Sequence, residues 1–149
     1  MKEAIRLSIE NISRGGGPFG AIVAKEGRIV AAAGNTVTVD NDPTAHAEVN
    51  AIRMACKTLG TFDLSGCDIY ASCEPCPMCL AAIYWAHIDH IYYAATRQDA
   101  AEIGFDDKMI YDQIPMMPNE RSITSEQVMR TEALEAFRIW NDSETVVRY

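Results

Sequence analysis

Two short runs in the 149-residue chain carry side chains that can do chemistry together: His46-Ala47-Glu48 and Pro75-Cys76-Pro77-Met78-Cys79. An imidazole and two thiolates are donors that zinc prefers, and three protein donors rather than four leave a position for water, the arrangement of a catalytic site. Two thiolates and a neutral imidazole make such a site formally neutral, and the cation would lower the pKa of its water to about 7. Glu48 is not needed as a ligand, which leaves it to take that water's proton and return it to a leaving group. An activated water beside a proton-shuttling carboxylate is the equipment of a hydrolase.

The same residues have other readings. A histidine met alone is more often structural, and His46 gains weight as a ligand from standing two before Glu48 and upstream of the cysteine pair. Cys76-Pro77-Met78-Cys79 opening a helix after a strand also fits a thiol–disulfide redox motif. Cys73, Cys76 and Cys79 fit the C-x2-C-x2-C part of an iron–sulfur run, but the x3-C-P completion is absent. Neither alternative uses His46 or Glu48. On the zinc reading Cys73 is a bystander at a strand end, Cys56 packs on the core face of its helix, and Cys67 in a turn has no role.

Such a site requires two helix starts to meet. Residues two apart point about 200° apart around a regular helix, so His46 and Glu48 converge only in a first turn. Asp42 with Pro43 at the first helical position, or Thr44, is the expected N-cap of that helix. In the second, Cys76 at the N-cap and Pro77 at the first position put Cys79 third, so both sulfurs lie by free N–H groups and the positive end of the macrodipole.

Around these starts the pattern predicts an α/β chain. Ile5, Ile9 and Ile12 mark one apolar helical stripe before the Gly15-Gly16-Gly17-Pro18 breaker. Residues 19–24 and 28–34 read as a hairpin, 35–42 as polar loop, and 44–59 as a helix with Val49, Ile52, Cys56 and Leu59 inward and Gly60 as its stop. A strand at 68–72, a helix carrying Leu80, Ile83 and Tyr84, and a strand at 90–95 follow. Residues 96–104 and 107–114 suit short helices, 123–129 an edge strand, and Leu134, Phe137 and Trp140 a last helix before a polar tail. The expectation is one domain over 1–149, three-layer α/β/α, with a central mixed, mostly parallel, five-stranded sheet.

Composition narrows the partners. With 21 acidic against 13 basic residues the net charge is -8, and the basic residues never form a run, which disfavours nucleic acid because phosphate binding needs clustered Lys and Arg. Apolar runs such as 29–33 fall far short of the ~20 residues that span a bilayer, and no signal-peptide core precedes them, so a cytoplasmic protein without membrane contact is expected. Five cysteines, an odd number, in a reducing compartment favour buried thiols, metal ligands or redox chemistry over structural disulfides.

H-x-E followed by P-C-x-x-C is the signature of zinc-dependent nucleobase deaminases. The chain resembles the cytidine-deaminase-like superfamily and, within it, the small bacterial guanine deaminases. The resemblance runs through Gly17-Pro18-Phe19-Gly20-Ala21, Asn41-Asp42-Pro43-Thr44-Ala45-His46-Ala47-Glu48, Ser72-Cys73-Glu74-Pro75-Cys76-Pro77-Met78-Cys79, Ile83-Tyr84-Trp85-Ala86 and Gly104-Phe105-Asp106-Asp107. It implies one zinc per chain on His46, Cys76 and Cys79, with Glu48 as proton shuttle. It further implies base contacts from Asn35 and Asp107, Trp85 in the pocket wall, and a homodimer in which residues 130–149, with Glu132 and Tyr149, exchange to close the partner's pocket. The stretches 116–127 and 141–148 match only loosely. The activity implied is hydrolysis of a free purine base, guanine to xanthine and ammonia. A tRNA adenosine deaminase, which needs basic contacts to phosphates, and a cytosine or nucleoside deaminase are the alternatives within the superfamily; a C-x-x-C redox protein is the alternative outside it.

Overall fold

A computed structural model describes residues 1–148, which form two compact units, 1–108 and the residues from Met109 onward. The first unit contains α1 (Lys2–Ser13), β1 (Gly17–Lys25), β2 (Arg28–Asn35), the one-turn α2 (Val37–Asp40), α3 (Ala47–Leu59), β3 (Cys67–Cys73), α4 (Pro77–Trp85), β4 (His90–Ala95) and α5 (Arg97–Glu102). Its sheet has the order β2-β1-β3-β4. β1 runs antiparallel to both β2 and β3, and only β3 and β4 are parallel.

The sheet is mixed, as expected, but neither mostly parallel nor five-stranded. After the β1–β2 hairpin the chain returns through α3 beside β1 instead of β2, so β3 meets an oppositely directed neighbour. Only the β3–α4–β4 crossover joins adjacent parallel strands. The expected fifth strand at 123–129 takes no regular structure. In the second unit Ile123 and Val128 are exposed, and a strand without a neighbouring ladder leaves its backbone groups to water. That unit holds most of α6 (Lys108–Gln113), a 3-10 turn (Pro118–Glu120) and α7 (Arg130–Asp142). Arg121 donates to the Met116 carbonyl at 3.1 Å, and Arg138 pairs with Glu135 at 2.6 Å along α7.

Helices cover both faces of the sheet. Ala21, Val23, Ala31, Ala33, Ile69 and Ala71 are buried on the side that packs Ala47, Ala51 and Ala55 of α3 and Ile83 of α4. The alternate residue Gly20 faces α1, where a Cβ would lie 2.4 Å from the Ala4 carbonyl and 2.8 Å from the Ser8 amide. This close approach explains a correction to the helix faces. α1 buries Ala4, Ser8 and Asn11, while Ile9 and Ile12 are 64% and 58% exposed, because only small side chains fit where helix backbone meets strand backbone. α3 likewise buries Ala47, Glu48, Ala51 and Ala55, with Ile52 and Cys56 at the margin of the core and Leu59 exposed.

Candidate metal centre

Both chemical runs sit at helix N-termini on the sheet's α3/α4 side. The N-cap of α3 is His46, with extended backbone (φ -68, ψ 154), and neither Asp42 nor Thr44. Asp42 instead accepts from the Thr44 amide at 2.8 Å and its hydroxyl at 2.7 Å, which shapes the loop, and the helix starts two residues later than a Thr44 cap would place it and four later than an Asp42 cap would. His46 therefore precedes the helix and Glu48 lies in its first turn. Cys76 caps α4 (φ -63, ψ 168), Pro77 is at the first position, and Cys79 falls third, as the sequence predicts.

His46 Nδ1 lies 3.5 Å from the sulfur of Cys76 and 3.5 Å from that of Cys79. The three donor atoms all fall within 4.8 Å of one another, the one such group found among the described residues. A tetrahedral zinc with ordinary Zn–N and Zn–S bonds would separate imidazole nitrogen and sulfur by about 3.6 Å. The donor set and both nitrogen–sulfur distances fit that ion.

Charge is concentrated here. Without a metal the hydrogen bond between the two sulfurs, with His46 adding to it, holds the Cys76 thiol down to about 4 and pushes Cys79 up. The hydrogen bond to Cys76 also raises the His46 imidazole. Glu48 is 8% exposed, and this burial lifts its carboxyl above the usual carboxylate range, with the charge of Cys76 adding to the effect. It also shares a hydrogen bond with Cys79, so its carboxyl borders the metal position. Asp107, half-buried, is raised first by burial and then by the Cys76 charge, which marks it as a neighbour of the cluster. Asn35 is buried at the end of β2, its Oδ1 accepting from the Val37 amide at 3.2 Å.

The other candidates fall elsewhere. Trp85 ends α4, nine residues and roughly 13 Å of helix beyond Cys76, and is 67% exposed; it is not brought to the cluster of its own chain. Glu132 lies exposed in the first turn of α7, in the second unit, and Tyr149 lies outside the described residues. Cys73 is buried with its sulfur 3.4 Å from the Thr96 carbonyl, and burial pushes its thiol up to about 11. Cys67 is buried and Cys56 half-buried; all five cysteines are free. Two residues that no motif marks, Asn11 and Asn50, bond the loops that carry Asn35 and His46. The available signal was an asparagine inside each of two helices, where it is a poor helix former.

The fold and this site define a zinc-binding deaminase domain. The sequence profile of the cytidine and deoxycytidylate deaminase zinc-binding region matches residues 1–95, and the chain belongs to this family. A guanine deaminase of Bacillus subtilis is 53% identical over 143 residues, covering 95% of this chain and 92% of that protein. An X-ray structure of guanine deaminase from the same organism superposes with a TM-score of 0.96 at 52% identity, covering 99% of this chain and 95% of that one. A tRNA-specific adenosine deaminase of Agrobacterium fabrum is 50% identical over 78 residues, covering 52% of this chain and 51% of that protein.

Proposed function

We propose that the chain is a zinc-dependent aminohydrolase that converts guanine and water to xanthine and ammonia. The observation that carries this reading is the extent of the match: similarity to a guanine deaminase spans nearly both whole chains, whereas similarity to the tRNA deaminase stops at about half. The net charge of -8 agrees with a free base in place of a polynucleotide.

His46, Cys76 and Cys79 would hold the zinc, which when bound supplies a Lewis acid that makes water nucleophilic near neutral pH. Glu48, buried beside it with a raised pKa, takes the proton of the attacking water and delivers it to the departing amine. Asn35 Oδ1 accepts from the Val37 amide, and its Nδ2 would donate to an acceptor on the base. The carboxylate of Asp107 accepts from ring N–H or amino donors. The reading includes one zinc per chain, one deaminase domain over 1–149 in the cytoplasm, and a homodimer whose residues 130–149, with Glu132 and Tyr149, close the partner's pocket. Phe137 and Trp140 of α7, both exposed and three residues apart on one helix face, support it as apolar surface for a second copy. Among the described residues no helix is long and apolar enough to cross a membrane.

The test is ammonia release by the zinc-loaded protein from guanine, adenine, cytosine, their nucleosides and a tRNA anticodon stem-loop. Guanine should lead; preferential turnover of the stem-loop adenosine would overturn the assignment. Mass in solution and metal analysis check the rest, with a monomer or a metal content far from one zinc per chain counting against it.

A further inference from the structure

Residues 34–36, where β2 ends and the chain turns into α2, are gripped from two sides. From α1, Asn11 Nδ2 donates to the Asn35 carbonyl at 2.6 Å and to the Gly17 carbonyl at 2.7 Å. From α3, Asn50 Nδ2 shares its protons among the Gly34 carbonyl at 3.1 Å, the Thr36 hydroxyl at 3.0 Å and the Ala45 carbonyl at 3.2 Å. The Thr36 amide adds a bond to the same Ala45 carbonyl at 2.9 Å. Three successive residues are thus tied to two helices, and one of those ties reaches the residue before His46.

The space around the grip is shaped for it. A Cβ at Gly34 would lie 2.5 Å from Asn11 Oδ1, and one at Gly16 would lie 2.3 Å from both Asn11 Nδ2 and the Asn35 carbonyl. Asn11 is 7% exposed, so its amide is spent on backbone carbonyls and not on solvent. A buried asparagine inside a helix opposes helix formation and side-chain desolvation, and both are offset here only by these tertiary bonds.

We propose that Asn11 and Asn50 are positioning residues for base recognition: they fix the backbone of 34–36 so that Asn35 presents Nδ2 to the base, and Asn50 keys this strand end to the loop bearing His46. Neither touches the base. The proposal rests on the reading of Asn35 as a base contact. The backbone on either side of Asn35 is held from both helices, and its side-chain Oδ1 accepts from the Val37 amide, so the donor is preorganised, and a displacement of about 1 Å at such a group can cost on the order of 100-fold.

The test is a double-mutant cycle on the zinc-loaded protein, with Asn35→Ala, Asn50→Ala and the pair compared by kcat and KM for guanine and by zinc content. Asn50→Ala should lower kcat/KM on the order of 10- to 100-fold, mainly through KM, with zinc retained. In the Asn35→Ala background the same change should cost less than about twofold. Asn50→Gln keeps the donors but moves them by one methylene; it serves as the second variant if Asn50→Ala fails to fold, and its KM should rise in the same way. Additive losses, or loss of zinc with Asn50→Ala or Asn50→Gln, would overturn the positioning role alone. An unchanged KM in Asn35→Ala would overturn the base contact and the positioning role with it, as would a parent protein without guanine turnover.

Discussion

Replacing Glu48 by Gln removes the one titratable group from a buried position and nearly nothing else. In the proposed site the residues around it offer no substitute: His46, Cys76 and Cys79 would be spent on the metal, and Asp107 is only half-buried. A positioned general acid–base contributes about 10²- to 10⁴-fold, or about 3 to 5 kcal/mol of barrier. Since the same carboxylate serves both the attack and the departure of the amine, the loss in kcat should fall at the upper end, about 10³-fold or more. Stability should move the other way. In the zinc-free protein burial raises the folded-state pKa of Glu48, so the folded chain binds more protons than the unfolded chain between the two pKa values. Stability is then full below the unfolded pKa and falls as pH rises through the folded one, and Gln abolishes that fall. The assay pairs single-turnover ammonia release and zinc content with urea denaturation of the zinc-free proteins at pH 4 and pH 8. Glu48→Gln should keep zinc, lose turnover, and gain stability over the parent at pH 8 more than at pH 4. Retained turnover refutes the proton shuttle, and a variant less stable than the parent at pH 8 refutes the buried-charge argument.

Because its bond to Cys76 and then burial push the Cys79 thiol up while zinc binds the thiolate, zinc uptake should release protons and the apparent zinc affinity should weaken from pH 8 to pH 6, as a competition titration against a chromophoric chelator would show; a pH-independent affinity contradicts a raised Cys79 thiol. Cys76→Ser should lose zinc, whereas Cys73→Ala should keep it at a modest stability cost of about 1 kcal/mol, and metal analysis of the two decides whether Cys73 is a bystander. Gly20→Ala drives a Cβ into the backbone of α1, so it should cost about 1–3 kcal/mol and lower Tm by roughly 2–12 °C; an unchanged melting curve would show that α1 is not seated on β1 as described.

The group of residues that could hold a metal was legible before any fold was known. Cys76, Pro77 and Cys79 take the N-cap, first and third helical positions because capping and the proline's missing N–H are decided by neighbours within one turn. The start of α3 was legible only to within two to four residues, since Asp42 had two uses open to it and closed a loop instead of a helix. Apolar periodicity misread the buried faces of α1 and α3: large residues mark a core face only where helix and sheet stand at ordinary distance, and here Gly20 and the alanines bring them closer.

Local chemistry, then, settled which residues can hold a metal and which carboxylate stands beside it. Which strands are neighbours, that the 123–129 run stays unpaired, that Trp85 lies at the far end of its helix from Cys76, and which carbonyls Asn11 and Asn50 find were decided by tertiary structure. Asn11 meets the Asn35 carbonyl across 24 residues and Asn50 meets that of Gly34 across 16. A cap is satisfied within its own turn, whereas these partners exist only after the sheet has brought distant segments together.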